Sequence, residues 1–173
     1  MDRINQILNQ KQYQVYLEKN KMAEADRSFC HHNIEHFLNV ARLAMLINLQ
    51  ENMQINKDYI YATAFLHDIG RFVEYEGSRP HDIVSAEIAE ELLPQCGFSQ
   101  KETEMIAKTI AGHRKHDRSG EKTEHQTEHE VQNITILREL LKRADRLSRN
   151  CQWCEARELC NWTEEQKNHT IDW

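Results

Sequence analysis

A chain of 173 residues with 39% hydrophobic and 29% charged residues is long enough for one domain with a real core and too short for two full-sized ones. Five glycines and two prolines point to a helix-rich globular protein and exclude a disordered or all-β chain. A formal net charge of −6 argues against a broad footprint on duplex DNA, so no extended nucleic acid binding is expected, while a small anionic substrate stays compatible. No apolar run approaches bilayer length and the start Met1-Asp-Arg-Ile-Asn-Gln6 lacks a signal-peptide pattern, so a soluble cytoplasmic protein with no membrane partner is expected. Five cysteines, three of them near the C-terminus, do not read as a secreted disulfide framework.

In chain order, the pattern predicts an N-terminal helix over about Arg3 to Asn20, then a polar connection around Glu24 to Arg27. A long helix follows over about Cys30 to Leu49. Asn56 is placed to cap the next helix, which carries Ala62 to Ile69 and stops at Gly70. Gly77-Ser-Arg-Pro80 forms a turn, and a helix over about His81 to Leu93 ends at Pro94. Ser99 and Glu102 fit a capping box that opens a helix to about His113. Arg114 to Glu128 is a charged loop containing Gly120, long enough to act as a lid over a pocket. The last long helix covers about Val131 to Arg149, and the tail Asn150 to Trp173 shows no long helix. No strand-like alternation, repeat or linker is present, so the fold class is all-α. The expected division is an N-terminal helix packing on the core (1–28), a central domain (29–149) and a cysteine-containing tail (150–173).

The central helices place a His or Asp in line with their apolar stripes. His36 shares a face with Val40, Leu43 and Ile47, and His67 and Asp68 converge with Ile60 and Ala64. His81 lies one turn before Ser85 and Ile88. Ile106, Ile110 and His113 form a stripe, as do Leu137, Leu141 and Asp145. Burying the adjacent pair His67-Asp68 is expensive unless both are paired or bound to a cation. Each residue alone has a plainer explanation: His81 or His113 as a satisfied core histidine, Asp145 as a partner of Arg143, Arg146 or Arg149. Six such coincidences on one core argue for a site. Its donors suit one or two divalent transition-metal ions such as Fe, Mn, Co, Ni or Zn. A pair of such ions makes hydroxide at neutral pH and clamps an in-line displacement at phosphorus.

Three elements in order carry a resemblance: His36-Phe-Leu-Asn-Val40, then Leu66-His67-Asp68-Ile-Gly70, then Arg143-Ala-Asp145. From about Phe29 to Arg149 the chain resembles the HD-domain superfamily of metal-dependent phosphohydrolases. The resemblance implies an orthogonal multi-helix bundle with His36, His67, Asp68 and Asp145 as metal ligands. It further implies that His81 and His113 stand where the two-metal branches insert extra histidines, with Asp68 as the bridge. The Gly-Tyr-Pro tripeptide of the cyclic-di-GMP branch is absent, so that substrate is not carried over. Some relatives have His-Asp ahead of the first ligand where this chain has His32-Asn33. His32 reads as a supporting residue, a substrate contact or an ordinary histidine, the last being the simplest.

The expected function is therefore metal-dependent hydrolysis of a phosphate ester or anhydride, by metal-activated hydroxide, in a nucleotide or small phosphorylated metabolite. Asp68 and Arg71 are the expected catalytic residues, and Arg71 and Arg114 the substrate-binding ones, because a guanidinium fork matches phosphate. For both arginines a solvated surface position is the alternative. A narrower reading is a dinucleoside polyphosphate or cyclic dinucleotide hydrolase with a dinuclear site. From other classes come a non-catalytic metal- or nucleotide-binding sensor and a two-iron oxygenase. His116, His125 and His129 read as solvent-exposed, although the last two have the spacing of a metal pair. Cys151, Cys154 and Cys160 can hold a structural zinc or an iron–sulfur centre if Cys30 or His169 supplies a fourth ligand. Three reduced thiols in a tail packed by Trp153 and Trp162 is the competing account.

Overall fold

A computed structural model describes residues 2–114 and 127–171, and all regular structure in them is helical. The order is α1 (Asp2–Asn9), α2 (Lys11–Ala23), α3 (Ile34–Gln50), α4 (Lys57–Leu66), α5 (Arg71–Tyr75), α6 (His81–Leu92), α7 (Gln100–Ala111) and α8 (Glu128–Leu147). Short 3-10 turns follow at Pro94–Cys96, Cys151–Trp153 and Arg157–Leu159. No helix of the described residues is long and apolar enough to cross a membrane. The lid expected over Arg114 to Glu128 falls largely on residues 115–126, with His116 and His125, and so lies outside the described residues.

The core has two apolar clusters, and α4 belongs to both. Ala62, Phe65 and Leu66 pack with α1, α2, α6 and α7, whereas Ile60 and Ala64 pack with α3 and α8. A helix buried all round is apolar all round, which is why α4 shows no polar stripe. Its C-terminal end therefore emerges at the seam between the clusters, where α3, α6, α7 and α8 all approach.

The N-terminus departs from the single helix expected there. The chain breaks at Gln10, whose backbone is extended (φ −62°, ψ 124°), without proline or glycine. The break lets Ile4 and Ile7 of α1 and Tyr13 of α2 enter the same cluster, so tertiary burial overrides local propensity. Other boundaries shift by local capping. Asn33, not Cys30, opens α3 by accepting from the His36 amide at 3.0 Å. A Thr127/Glu130 capping box starts α8 three residues before Val131. The expected capping box at Ser99 and Glu102 and the cap at Asn56 are both present.

Candidate metal centre

The chain leaves α4 at His67 and turns tightly through Asp68 to Gly70 before α5 begins. Three long-range contacts hold that turn. Asn20, fully buried on α2, donates to the Asp68 carbonyl at 2.9 Å and accepts from the Phe72 amide at 2.8 Å. The Gly70 amide donates to Ser85 Oγ at 2.9 Å. A Cβ on Gly70 would lie 2.8 Å from the Ser85 backbone nitrogen and from Val84 Cγ1, so only glycine lets α6 pass this closely.

Around the turn the six expected ligands come together in two groups, His36, His67 and Asp145, and Asp68, His81 and His113; within each, the donor atoms lie within 4.8 Å of one another. Asp68 faces both groups. Its Oδ1 lies 2.8 Å from His81 Nε2 and 3.3 Å from His113 Nε2, and its Oδ2 lies 3.5 Å from His67 Nε2. In the first group His36 Nε2 and His67 Nε2 stand 3.1 and 3.9 Å from Asp145 Oδ1.

Each of the four histidines is held from behind through Nδ1, so that Nε2 points inward. His67 Nδ1 donates to the Ala64 carbonyl at 2.8 Å and His113 Nδ1 to the Ile110 carbonyl at 2.7 Å. His36 Nδ1 pairs with Ser148 Oγ at 3.2 Å, and His81 Nδ1 pairs with the Glu74 carboxylate. Outer partners of this kind fix the ring and its tautomer in metal sites. His67 Nε2 and Asp68 Oδ1 are buried and meet no hydrogen-bond partner of good geometry. Buried donor atoms gathered within 4.8 Å of one another, two of them unpartnered, fit a cation there, and a nitrogen and carboxylate set suits a divalent transition metal.

The charge balance agrees. Burial pushes both Asp68 and Asp145 upward in pKa, yet both are held well below the ordinary carboxylate range. His67 and His113 outweigh the burial at Asp68; His36, His67 and Arg149 do so at Asp145. Burial takes His36 down to about 4, against the pull of Asp145. His67 goes the other way, since Asp68 and Asp145 overcome its burial. A buried carboxylate at Asp68 and a half-buried one at Asp145, both ionised, call for positive charge.

The centre opens into a cavity of about 900 Å³, near the upper end of the range for small-molecule sites. Arg71 lies in its wall, 3.1 Å from both ring nitrogens of His81 and 3.9 Å from Asp68 Oδ2. Arg114 reaches the same wall but is tied to Glu74 at 2.9 Å, so it supports the carboxylate behind His81. His129 is exposed at the start of α8 and pairs with Asn133. No three sulfurs of Cys151, Cys154, Cys160 and Cys30 fall within 4.8 Å of one another among the described residues. His169 bonds Arg157 and the Glu164 carbonyl instead of joining the cysteines.

Three participants were not legible as such in the sequence, and a fourth, Arg149, was legible only as one of three arginines able to pair with Asp145. His32, the ordinary histidine of the simplest reading, is buried with Nε2 3.4 Å from Asp68 Oδ2 and Nδ1 2.5 Å from Glu24. Glu24 is anchored by Tyr75 at 2.7 Å and driven down to about 2: burial raises it, but His32 outweighs that. Glu74 stands behind His81. Arg149 is buried and donates to His36 Nε2 at 3.1 Å and Asp145 Oδ1 at 3.0 Å. The weak signal available was position: His32 one turn before His36, and Arg149 one turn after Asp145.

A family model described as HD domain matches residues 33–150. An uncharacterized protein of Clostridium beijerinckii is 45% identical over 171 residues, which cover 99% of both chains. A crystal structure of a predicted HD superfamily hydrolase from an uncultured Thermotogales bacterium matches with a TM-score of 0.59 at 24% identity, covering 89% of this chain and 80% of that one. The last match shows a shared fold.

Proposed function

The chain belongs to the HD domain family, and on that premise we propose that it is a metal-dependent phosphohydrolase acting on a phosphate ester or anhydride of a nucleotide or small phosphorylated metabolite. The observation that carries this reading is the pair of His/Asp donor groups spanned by the two oxygens of Asp68. The structural relative is itself described as a predicted hydrolase, which agrees with it. What divalent ions supply in such a place is a water acidified to near neutrality and neutralisation of phosphoryl oxygens.

The residues of the chain do the rest. His36, His67 and Asp145 would hold one ion, and Asp68, His81 and His113 a second. Arg71, beside His81, and Arg149, beside Asp145, supply guanidinium groups for the phosphate. Trp153, 65% exposed and in the cavity wall, offers an aromatic face to a base. His32, backed by Glu24, stands beside Asp68 as a proton carrier for attacking water or leaving group.

The test is chromatographic detection of hydrolysis products from a panel of nucleoside mono- and triphosphates, dinucleoside polyphosphates and cyclic dinucleotides with Mn2+ present. Turnover of at least one class, abolished by chelation and by Asp68→Asn, is expected. Binding across the panel with no turnover would replace the hydrolase with a nucleotide sensor. The two donor groups and a cavity of this size are reasons to screen the dinucleotides first.

A further inference from the structure

The chain has five cysteines, and the structure treats one differently from the other four. Cys96 is fully buried in the apolar core, its sulfur accepting from Gln10. Cys30, Cys151, Cys154 and Cys160 instead all line the cavity next to the His/Asp centre. Cys30 arrives from the loop before α3, and the other three from the tail after α8, so two segments far apart in sequence deliver thiols to one wall. The Cys30 thiol is raised in pKa, first by burial and then by the neighbouring thiols of Cys154, Cys151 and Cys160, while Arg149 opposes the rise.

The tail that carries three of these thiols has almost no core of its own. From residue 150 to 171 its buried residues are Cys151, Ala156 and Lys167, while Trp153, Leu159 and Ile171 stay largely exposed. Successive 3-10 turns set its shape: the Cys154 amide bonds the Cys151 carbonyl, the Arg157 amide the Cys154 carbonyl and the Cys160 amide the Arg157 carbonyl. Its far end is fastened by Asn168, which donates to the carbonyls of Arg146 and Arg149 at 2.8 Å. A segment this poor in buried apolar surface needs a staple, and metals or disulfides are the usual ones.

We propose that Cys30, Cys151, Cys154 and Cys160 ligate a metal centre that clasps the tail to the loop before α3, and that this centre is an iron–sulfur cluster. A single zinc draws four sulfurs to within about 4 Å of each other, given Zn–S bonds of about 2.3 Å. The sulfurs here share a wall but are more widely spread, since no three lie within 4.8 Å of one another. A cluster in which each thiolate takes a different iron accepts that wider spacing. His169, engaged with Arg157 and Glu164, is left out. Because Cys151 lies two residues after Arg149, and Cys30 two before His32, the clasp steadies both walls of the hydrolytic cavity. The proposal stands apart from the hydrolase reading, and its readouts do not depend on turnover.

The test is anaerobic purification of the full chain without added metal, followed by iron, zinc and acid-labile sulfide analysis and a visible spectrum. The expected result is about four sulfides per chain, at least as many irons, and a broad visible absorption. Sulfide and absorption should be lost in Cys30→Ser and Cys154→Ser and kept in Cys96→Ser. Zinc without sulfide, lost in the same two variants, would overturn the cluster and leave a thiolate zinc clasp. Wild-type protein with no sulfide, metal unchanged by Cys30→Ser and four thiols reacting freely would overturn the site altogether. Sulfide and thiol reactivity are read on the wild type, so a variant that fails to fold does not spoil the test.

Discussion

The two donor clusters that share one cavity are built in opposite ways. The His/Asp centre hangs on five helices and an interhelical turn, and every histidine is braced through Nδ1 by a carbonyl, a hydroxyl or a carboxylate. Packing of α4 between two apolar clusters arranges its donors. The cysteine wall rests on 3-10 turns with few buried apolar side chains, so under the proposed clasp its shape depends on what the thiols hold. A metal bound at the first spends little on ordering the chain; at the second it supplies the order itself.

The comparison breaks most directly at Asp68. Asp68→Asn should cut substrate hydrolysis about a thousandfold or more, in line with the several kcal/mol that metal ions contribute to such reactions. Far-UV circular dichroism should stay that of the wild type, because the helices do not depend on the ions. A collapse of helical signal would make the centre as dependent on its ligand as the cysteine wall.

Weaker effects sharpen the same contrast. Removing the brace behind His81 with Glu74→Gln should lower metal affinity roughly 10- to 100-fold, measured by competition with a metal indicator, with little change in melting temperature. Gly70→Ala drives a methyl into α6 and should cost about 1–3 kcal/mol in urea unfolding, with metal binding weakened through displacement of Asp68. Ser99→Ala removes a helix cap far from both clusters. It should lower stability by about 1 kcal/mol and leave metal content and turnover unchanged.

The legible part of the site was whatever one helix shows along its own stripe. His36, His67, Asp68, His81, His113 and Asp145 each fall in line with apolar neighbours, and the structure brings all six to one place. What stayed hidden depends on pairs of residues far apart in the chain. Asn20 meets Asp68 and Phe72 across about fifty positions, and Arg149 meets His36 across 113. Glu24 reads as an ordinary polar residue of a connection until Tyr75 and His32 close on it. The fold shows the same division. Caps written in sequence, such as Asn56 and Ser99, placed their helices, whereas the break at Gln10 has no local signal and follows from burial of Ile4, Ile7 and Tyr13.

The most direct test of a two-ion centre spanned by Asp68 is Mn2+ titration of metal-stripped protein, followed by electron paramagnetic resonance, since this hard ion avoids thiolates. The account predicts about two Mn2+ per chain with a spin-coupled signal, falling to about one uncoupled ion in His113→Ala. One uncoupled ion in both proteins would contradict it and remove His81 and His113 from the metal site.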